Sequence, residues 1–124
     1  MFEESDLIHS YSRAQAIADG TLVDATATSR EAGLRWPTAV TRAVWDRYVA
    51  VPDGVACQDE AGRLWDVLAL LRFAIARSPD TDVLFYRLRV RNTNGRPRPV
   101  TLKAVAGPGD HGEPVLTIMT PGED

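Results

Sequence analysis

The chain has 124 residues, of which 44% are hydrophobic and 25% are charged, and its formal net charge is −3. This composition excludes a disordered chain, and the length is typical of one domain, so we expect a single domain over residues 1–124. The small acidic excess excludes a general attraction to nucleic acid or anionic lipid, so any basic surface must be local.

The expected location of the protein is the cytoplasm. Cys57 is the only cysteine and cannot form an internal disulfide, while Glu3, Glu4 and Asp6 stand where an export signal would be basic. The longest apolar run, residues 64–76, is interrupted by charged residues and is shorter than the roughly 20 residues that cross a bilayer. We therefore expect no membrane span.

The first predicted element is a short helix. Ser12 and Gln15 have the spacing of a capping box, and Gly20 suits a left-handed C-terminal cap, which together predict a helix over residues 12–19. Residues 21–25 are rich in β-branched and apolar side chains, so we expect a short strand or an extended link there.

Two further helical segments are predicted before residue 55. Thr28 begins about one helical turn that Gly33 ends. Pro37 is interpreted as the first residue of a helix, because its missing N–H is harmless there, and this helix should end at a turn over residues 52–54. Its apolar stripe recurs every fourth residue, at Val40, Val44 and Tyr48.

The strongest helical pattern runs over residues 58–77. Apolar residues recur there at spacings of three and four, on two neighbouring faces, so we expect this helix at the centre of the core. Ser78 precedes Pro79 and is pushed out of the α region, which ends the helix.

From Val83 onward the pattern alternates with a period of two, which indicates strands. Asn94-Gly95 marks a hairpin turn, and a three-residue loop over 93–95, with Gly95 left-handed, brings every apolar residue to one face. That register sets Leu88 opposite Val100, Tyr86 opposite Leu102 and Leu84 opposite Ala104. Because Pro97 and Pro99 cannot donate ladder hydrogen bonds, we expect an edge or a bulge where the second strand begins.

A third strand is predicted over residues 115–120, after a loop over 107–113. The predicted fold class is therefore α+β, with helices packed on one face of a small antiparallel sheet. The sheet should contain a C-terminal three-stranded meander and a short fourth strand near residues 21–25.

No catalytic, metal or cofactor site is visible in the sequence. His9 and His111 lack partners at zinc-ligand spacing, and no base is identifiable for Cys57. The glycines over residues 107–112 do not open a helix and so do not form a phosphate-binding loop. We expect no cofactor.

The hairpin carries the one local concentration of basic residues, and these are the candidate binding residues for a nucleic acid or protein partner. A solvated sheet face that protects an edge against aggregation explains the same residues. Both interpretations stay open at this point. The residues are Arg87, Arg89, Arg91, Arg98 and Lys103, with Arg96 in the turn.

Several segments spread over the chain carry a resemblance. They are residues 6–20, the turn at 30–33, and the stretches 37–45, 62–66, 100–104, 107–110, 118–119 and 121–124. In these segments the chain resembles an uncharacterised bacterial family, a domain of unknown function often encoded on plasmids and integrative or conjugative elements. The resemblance implies a small accessory protein of mobile DNA and supplies no reaction or site residues.

The leading hypothesis is accordingly a non-enzymatic accessory or interaction protein of a mobile genetic element, which binds a protein or nucleic acid partner. The alternative is a small enzyme with a polar site near the N-terminal helix, built from Asp6, His9, Arg13 and Asp19. Arg13 and Asp19 do not share a helical face, so the fold would have to bring them together. The sequence leaves the oligomeric state open.

Overall fold

The computed structural model describes residues 11–78 and 80–124 and shows an α+β fold around a five-stranded mixed sheet of order β1-β2-β5-β4-β3. In chain order the elements are α1 (Arg13–Asp19), β1 (Leu22–Asp24), α2 (Thr26–Glu31), β2 (Thr38–Thr41), α3 (Arg42–Val44, continued as a π-helix over Trp45–Val49), α4 (Glu60–Arg77), β3 (Val83–Val90), β4 (Arg98–Pro108) and β5 (Pro114–Met119). No helix in the described ranges is both long and apolar enough to cross a membrane.

The first helix is capped as its sequence predicts. The Gln15 N–H donates to the Ser12 hydroxyl at 3.0 Å, and the Ser12 N–H donates to the Gln15 side-chain oxygen at 2.8 Å. Gly20 ends the helix with a φ of +86°. The short strand expected near 21–25 is β1, and α2 begins two residues before Thr28.

The prediction that a helix begins at Pro37 is wrong, because residues 38–41 form the strand β2. Thr38, Ala39 and Val40 are fully buried between β1, which pairs antiparallel, and β5, which pairs parallel. The helix starts only at Arg42, where the Thr41 hydroxyl accepts from the Val44 N–H at 3.3 Å. The sheet is therefore mixed and five-stranded rather than a purely antiparallel meander.

The long helix α4 forms the centre of the core, as predicted. It begins at Glu60, where the Asp59 carboxylate accepts from the Gly62 N–H at 2.6 Å, two residues later than the sequence suggested. Its fully buried face packs against the inner side of the sheet and against α3. The largest side chains in this contact are Leu68, Leu71, Leu102 and Ile118.

The C-terminal meander and its hairpin register are confirmed. Leu88 lies opposite Val100, as predicted, and the other two predicted pairs also hold. The turn differs from the prediction, because the strands end at Val90 and begin again at Arg98, and Gly95 has no positive φ. Asn94 instead fastens the turn to the loop before α4, donating to the Gly54 carbonyl at 2.8 Å and accepting from the Ala56 N–H at 2.9 Å.

The strand β4 accommodates Pro99 without a bulge because the nitrogen of Pro99 points away from β3, the strand that pairs with β4 at this position. The Ala106 N–H donates to the Asp82 carbonyl, so the even-numbered residues of β4 face β3 and the odd-numbered ones face β5. The nitrogen of Pro99 therefore points to the β5 side, where pairing begins only at Lys103. Pro99 costs no ladder hydrogen bond.

The helices do not all lie on one face of the sheet. Within β5, Leu116 and Ile118 face the core, so Thr117 lies on the opposite face. The Arg13 guanidinium of α1 donates to the Thr117 hydroxyl at 2.7 Å. The start of α1 therefore contacts the second face of the sheet, and the expectation of helices on one face is corrected.

Candidate partner-binding surface

Two of the candidate arginines lie together on the outer side of β3. Arg87 and Arg89 alternate with the core-facing Tyr86 and Leu88, and both are exposed. Phe85 precedes them on the same face and is 56% exposed. We call the set Phe85, Arg87 and Arg89 the basic face. Among the described residues the only ion pair joins Arg42 and Asp46, so no described carboxylate forms an ion pair with the arginines of this face.

The other three candidate residues are placed differently. Arg91 follows the end of β3, and its guanidinium donates to the Ala56 carbonyl and to the Thr93 carbonyl. Lys103 lies opposite Phe85, but its ammonium donates to the Glu123 carbonyl. Arg98 lies opposite Val90 and so on the helix-covered side of the sheet. The strip of cations expected from the sequence is thus reduced on β3 to Arg87 and Arg89, while Arg96 and Arg98 are also exposed but lie outside this strand.

The free edge of β3 lies beside the basic face. The described part of the chain pairs β3 with β4 alone, at the end of the strand order. Since the Asp82 carbonyl is bonded to β4, the even-numbered residues of β3 face β4, and the backbone N–H and C=O of Phe85, Arg87 and Arg89 face outward. At Val83 this edge is already occupied, because the Thr81 hydroxyl bonds to both of its backbone groups.

Two neighbouring cavities lie along this edge, between β3 and the flank of α4, and together we call them the edge groove. Its wider part has a volume of about 390 Å³, between Leu70, Ala74 and Arg77 of the helix and residues 84–87 of the strand. Its narrower part has a volume of about 190 Å³ and includes Arg63, Asp66 and residues 88–91. Partial desolvation raises the pKa of Asp66.

Three hydrogen bonds hold the walls of the edge groove in place. The Tyr86 hydroxyl donates to the Val67 carbonyl of α4 at 2.9 Å. Arg63 is 5% exposed, and its guanidinium donates to the Arg91 carbonyl at 2.8 Å and to the Asn92 side-chain oxygen at 2.6 Å. Burial removes water from the Arg63 guanidinium, and this desolvation lowers the pKa of Arg63. The groove is therefore built on a rigid contact between helix and strand.

Large apolar side chains are exposed around the edge groove. Leu70 is 37% exposed and lines the groove, and Phe73, one helical turn further along the exposed side of α4, is 54% exposed. Phe85 borders the groove from the strand side. An exposed apolar patch with a polar rim is typical of a protein interaction site.

A second groove of about 660 Å³ lies on the opposite face of the sheet, and it tests the enzyme hypothesis. Arg13 lines it, but its guanidinium is engaged by Thr117 and by the Leu116 carbonyl at 2.6 Å. The Asp19 carboxylate accepts from the Tyr11 hydroxyl instead, so Arg13 and Asp19 do not converge. Asp6 and His9 lie outside the described residues.

Asp110 has a structural role in this second groove that its sequence position does not reveal. Its carboxylate accepts from the Arg13 N–H at 2.7 Å and the Ala14 N–H at 3.0 Å, and so caps α1 from 96 and 97 residues away. The hydrogen bonds from Ala14 and then Arg13 lower the pKa of Asp110. Glu123 is engaged in a similar way, by the hydroxyls of Thr41 and Thr120.

No metal site was found within residues 11–78 and 80–124, where no group of three or more His, Cys, Asp or Glu side chains could hold an ion. Cys57 is exposed and unpaired, with a φ of +61°.

Sequence reasoning found the arginines of the basic face and missed the edge groove. The alternation of β3 identifies Arg87 and Arg89 as outward-facing. The groove depends on which strand lies at the edge and on which flank of α4 faces it, and no local pattern encodes either. Arg63 was missed because a basic residue between apolar ones on a helix usually reaches solvent.

Comparison with known proteins gives one match. A family model described as a family of unknown function, DUF6573, matches residues 1–124. No curated protein and no solved structure matches the chain significantly.

Proposed function

The chain belongs to DUF6573, a family of unknown function, and on this premise we propose that it is a non-enzymatic interaction domain that binds a partner protein at the edge groove and basic face. One observation carries the proposal. Leu70 and Phe85 expose apolar surface in a groove whose walls also carry Arg77 and Arg87, without a described carboxylate forming an ion pair with them.

The number of unengaged cations favours a protein over a nucleic acid. With Arg91 and Lys103 bonded within the chain, four exposed arginines are left to contact phosphates, Arg87 and Arg89 on the basic face and Arg96 and Arg98 beside the turn. Four contacts would give a salt slope of only about −2.8 on a single strand, whereas nucleic-acid binders commonly make about 6–10 such contacts. An apolar groove with a basic rim, by contrast, suits a protein partner.

The enzyme alternative draws its support from the volume of the second groove. Against it, Arg13, Asp110 and Glu123 each already hold hydrogen-bond partners that maintain the fold. Binding therefore fits the geometry better than catalysis. The role as an accessory protein of a mobile genetic element rests on the sequence resemblance alone, and it predicts that the partner is encoded by the same element.

Co-purification from the native host with quantitative mass spectrometry tests the proposal. We expect a partner protein that is enriched on the unmodified chain and lost from the Arg87→Glu/Arg89→Glu variant. The matched control is Arg35→Glu/Arg47→Glu, which makes the same change in net charge at exposed arginines elsewhere and should retain the partner.

Two results would contradict the proposal. One is the absence of any enriched partner at mild salt, and the other is an equal loss in both variants, which would show a general charge effect. If the partner protein is no longer enriched after nuclease treatment, the chain binds a nucleic acid instead.

A further inference from the structure

We propose that the edge groove takes an extended, acidic segment of the partner protein, which adds to the sheet as a sixth strand beside β3. This inference rests on the proposed function and specifies the conformation and charge of the partner.

The backbone of β3 provides the first argument. The N–H and C=O groups of Phe85, Arg87 and Arg89 face away from β4, and no described residue bonds to them. An edge with this alternation is a template for another strand. Main-chain hydrogen bonds to such an edge provide affinity, and pockets for alternate side chains provide specificity.

The flank of α4 provides the second argument, because it forms a wall that an added strand would lie against. In an antiparallel pairing, residues directly opposite Arg87 and Arg89 would point their side chains to the basic face. The residues between them would point to the helix side, where Leu70 and Ala74 line the groove. The occupant should therefore alternate acidic and apolar residues.

The positive charge of the edge groove favours an acidic segment over a second copy of the chain. The charged groups lining the wider part of the groove are Arg77 and Arg87, and the narrower part has Arg63, Arg89 and Arg91 against the single carboxylate of Asp66. A second copy pairing through β3 would bring further arginines to this site. A nucleic acid would present phosphates but no strand edge for the backbone groups of β3.

The test uses a synthetic peptide of alternating Glu and Val, of the length of β3, with a fluorescent label, and the full chain at low ionic strength. We expect binding that weakens as salt increases, and none by a peptide of alternating Lys and Val. Amide hydrogen exchange followed by NMR should slow at least tenfold at Phe85, Arg87 and Arg89 when peptide saturates the protein. The amides of Tyr86 and Leu88, already bonded to β4, should change little.

Two helix variants locate the peptide. Leu70→Glu places a negative charge in the groove and should weaken binding at least tenfold. Ala76→Glu makes a similar charge change at an exposed position on the opposite flank of α4 and should alter binding less than twofold. The exchange measurement needs no variant and therefore does not depend on how either variant folds.

Each contrary result has a defined meaning. Peptide binding that depends on Arg87 and Arg89 but does not protect the three amides would overturn strand addition and leave the interaction surface intact. Failure of the acidic peptide to bind, while co-purification succeeds, would also overturn this inference alone. A dimer with the same three amides protected in the absence of peptide would assign the edge to a second copy. Tighter binding of single-stranded DNA than of the peptide would assign it to nucleic acid.

Discussion

Replacing Arg63 with Met should destabilise the protein by about 1.5–4.5 kcal/mol. Arg63 is 5% exposed, and its guanidinium donates to the Val49 carbonyl at 3.1 Å and the Arg91 carbonyl at 2.8 Å. Val49 is fully buried, so its carbonyl would lose its partner without gaining water, which costs about 1–3 kcal/mol. Asn92 is exposed, so water can replace the guanidinium as its hydrogen-bond partner. The loss of stability from the bonds to the hairpin should therefore be smaller than the loss at Val49, about 0.5–1.5 kcal/mol. Met retains the packing of the aliphatic stem.

Urea denaturation followed by tryptophan fluorescence measures this effect. Arg77→Met is the matched control on the same helix, because Arg77 is exposed, and it should change the free energy of unfolding by less than about 0.5 kcal/mol. Arg63→Lys should fall between the two, since an ammonium keeps the charge but cannot reach several acceptors as a planar fork does. A loss below about 0.5 kcal/mol for Arg63→Met would refute the inference that this side chain joins α3, α4 and the hairpin.

Two further predictions concern the core and the cap on α1. Leu68 is fully buried on α4, so Leu68→Ala should cost about 2–5 kcal/mol of stability, and an unchanged thermal midpoint would contradict its central place in the core. Asp110 has a lowered pKa in the folded state, so its stabilising effect is fully present above about pH 5 and is lost as the pH falls through about 4 and below. Asp110→Asn should therefore melt below the unmodified protein at about pH 7, with the gap in melting temperature narrowing progressively as the pH falls below about 4. A gap that does not depend on pH would contradict this assignment.

Features set by neighbouring residues were predictable from the sequence. The capping box of Ser12 and Gln15 and the left-handed Gly20 involve contacts within a few residues, so spacing alone reveals them. The hairpin register was equally accessible, because a strand that slips by one residue moves every apolar side chain to the wrong face.

Features set by distant partners could not be predicted. Residues 38–41 are too few to show a strand period, and they become the strand β2 because β1 and β5 lie on either side of them. The chain order likewise does not show that Arg91 and Lys103 are bonded to carbonyls of other segments.

The sequence by itself determined an α+β domain with a long core helix and a hairpin that presents arginines outward. Only the tertiary structure decided that β3 is the edge strand, that α4 lies along it, and that Leu70 and Arg77 face Arg87 across a groove. The physical reason is the range of the interactions involved. Periodicity records which side of an element is buried, whereas a groove between two elements depends on how they pack against each other.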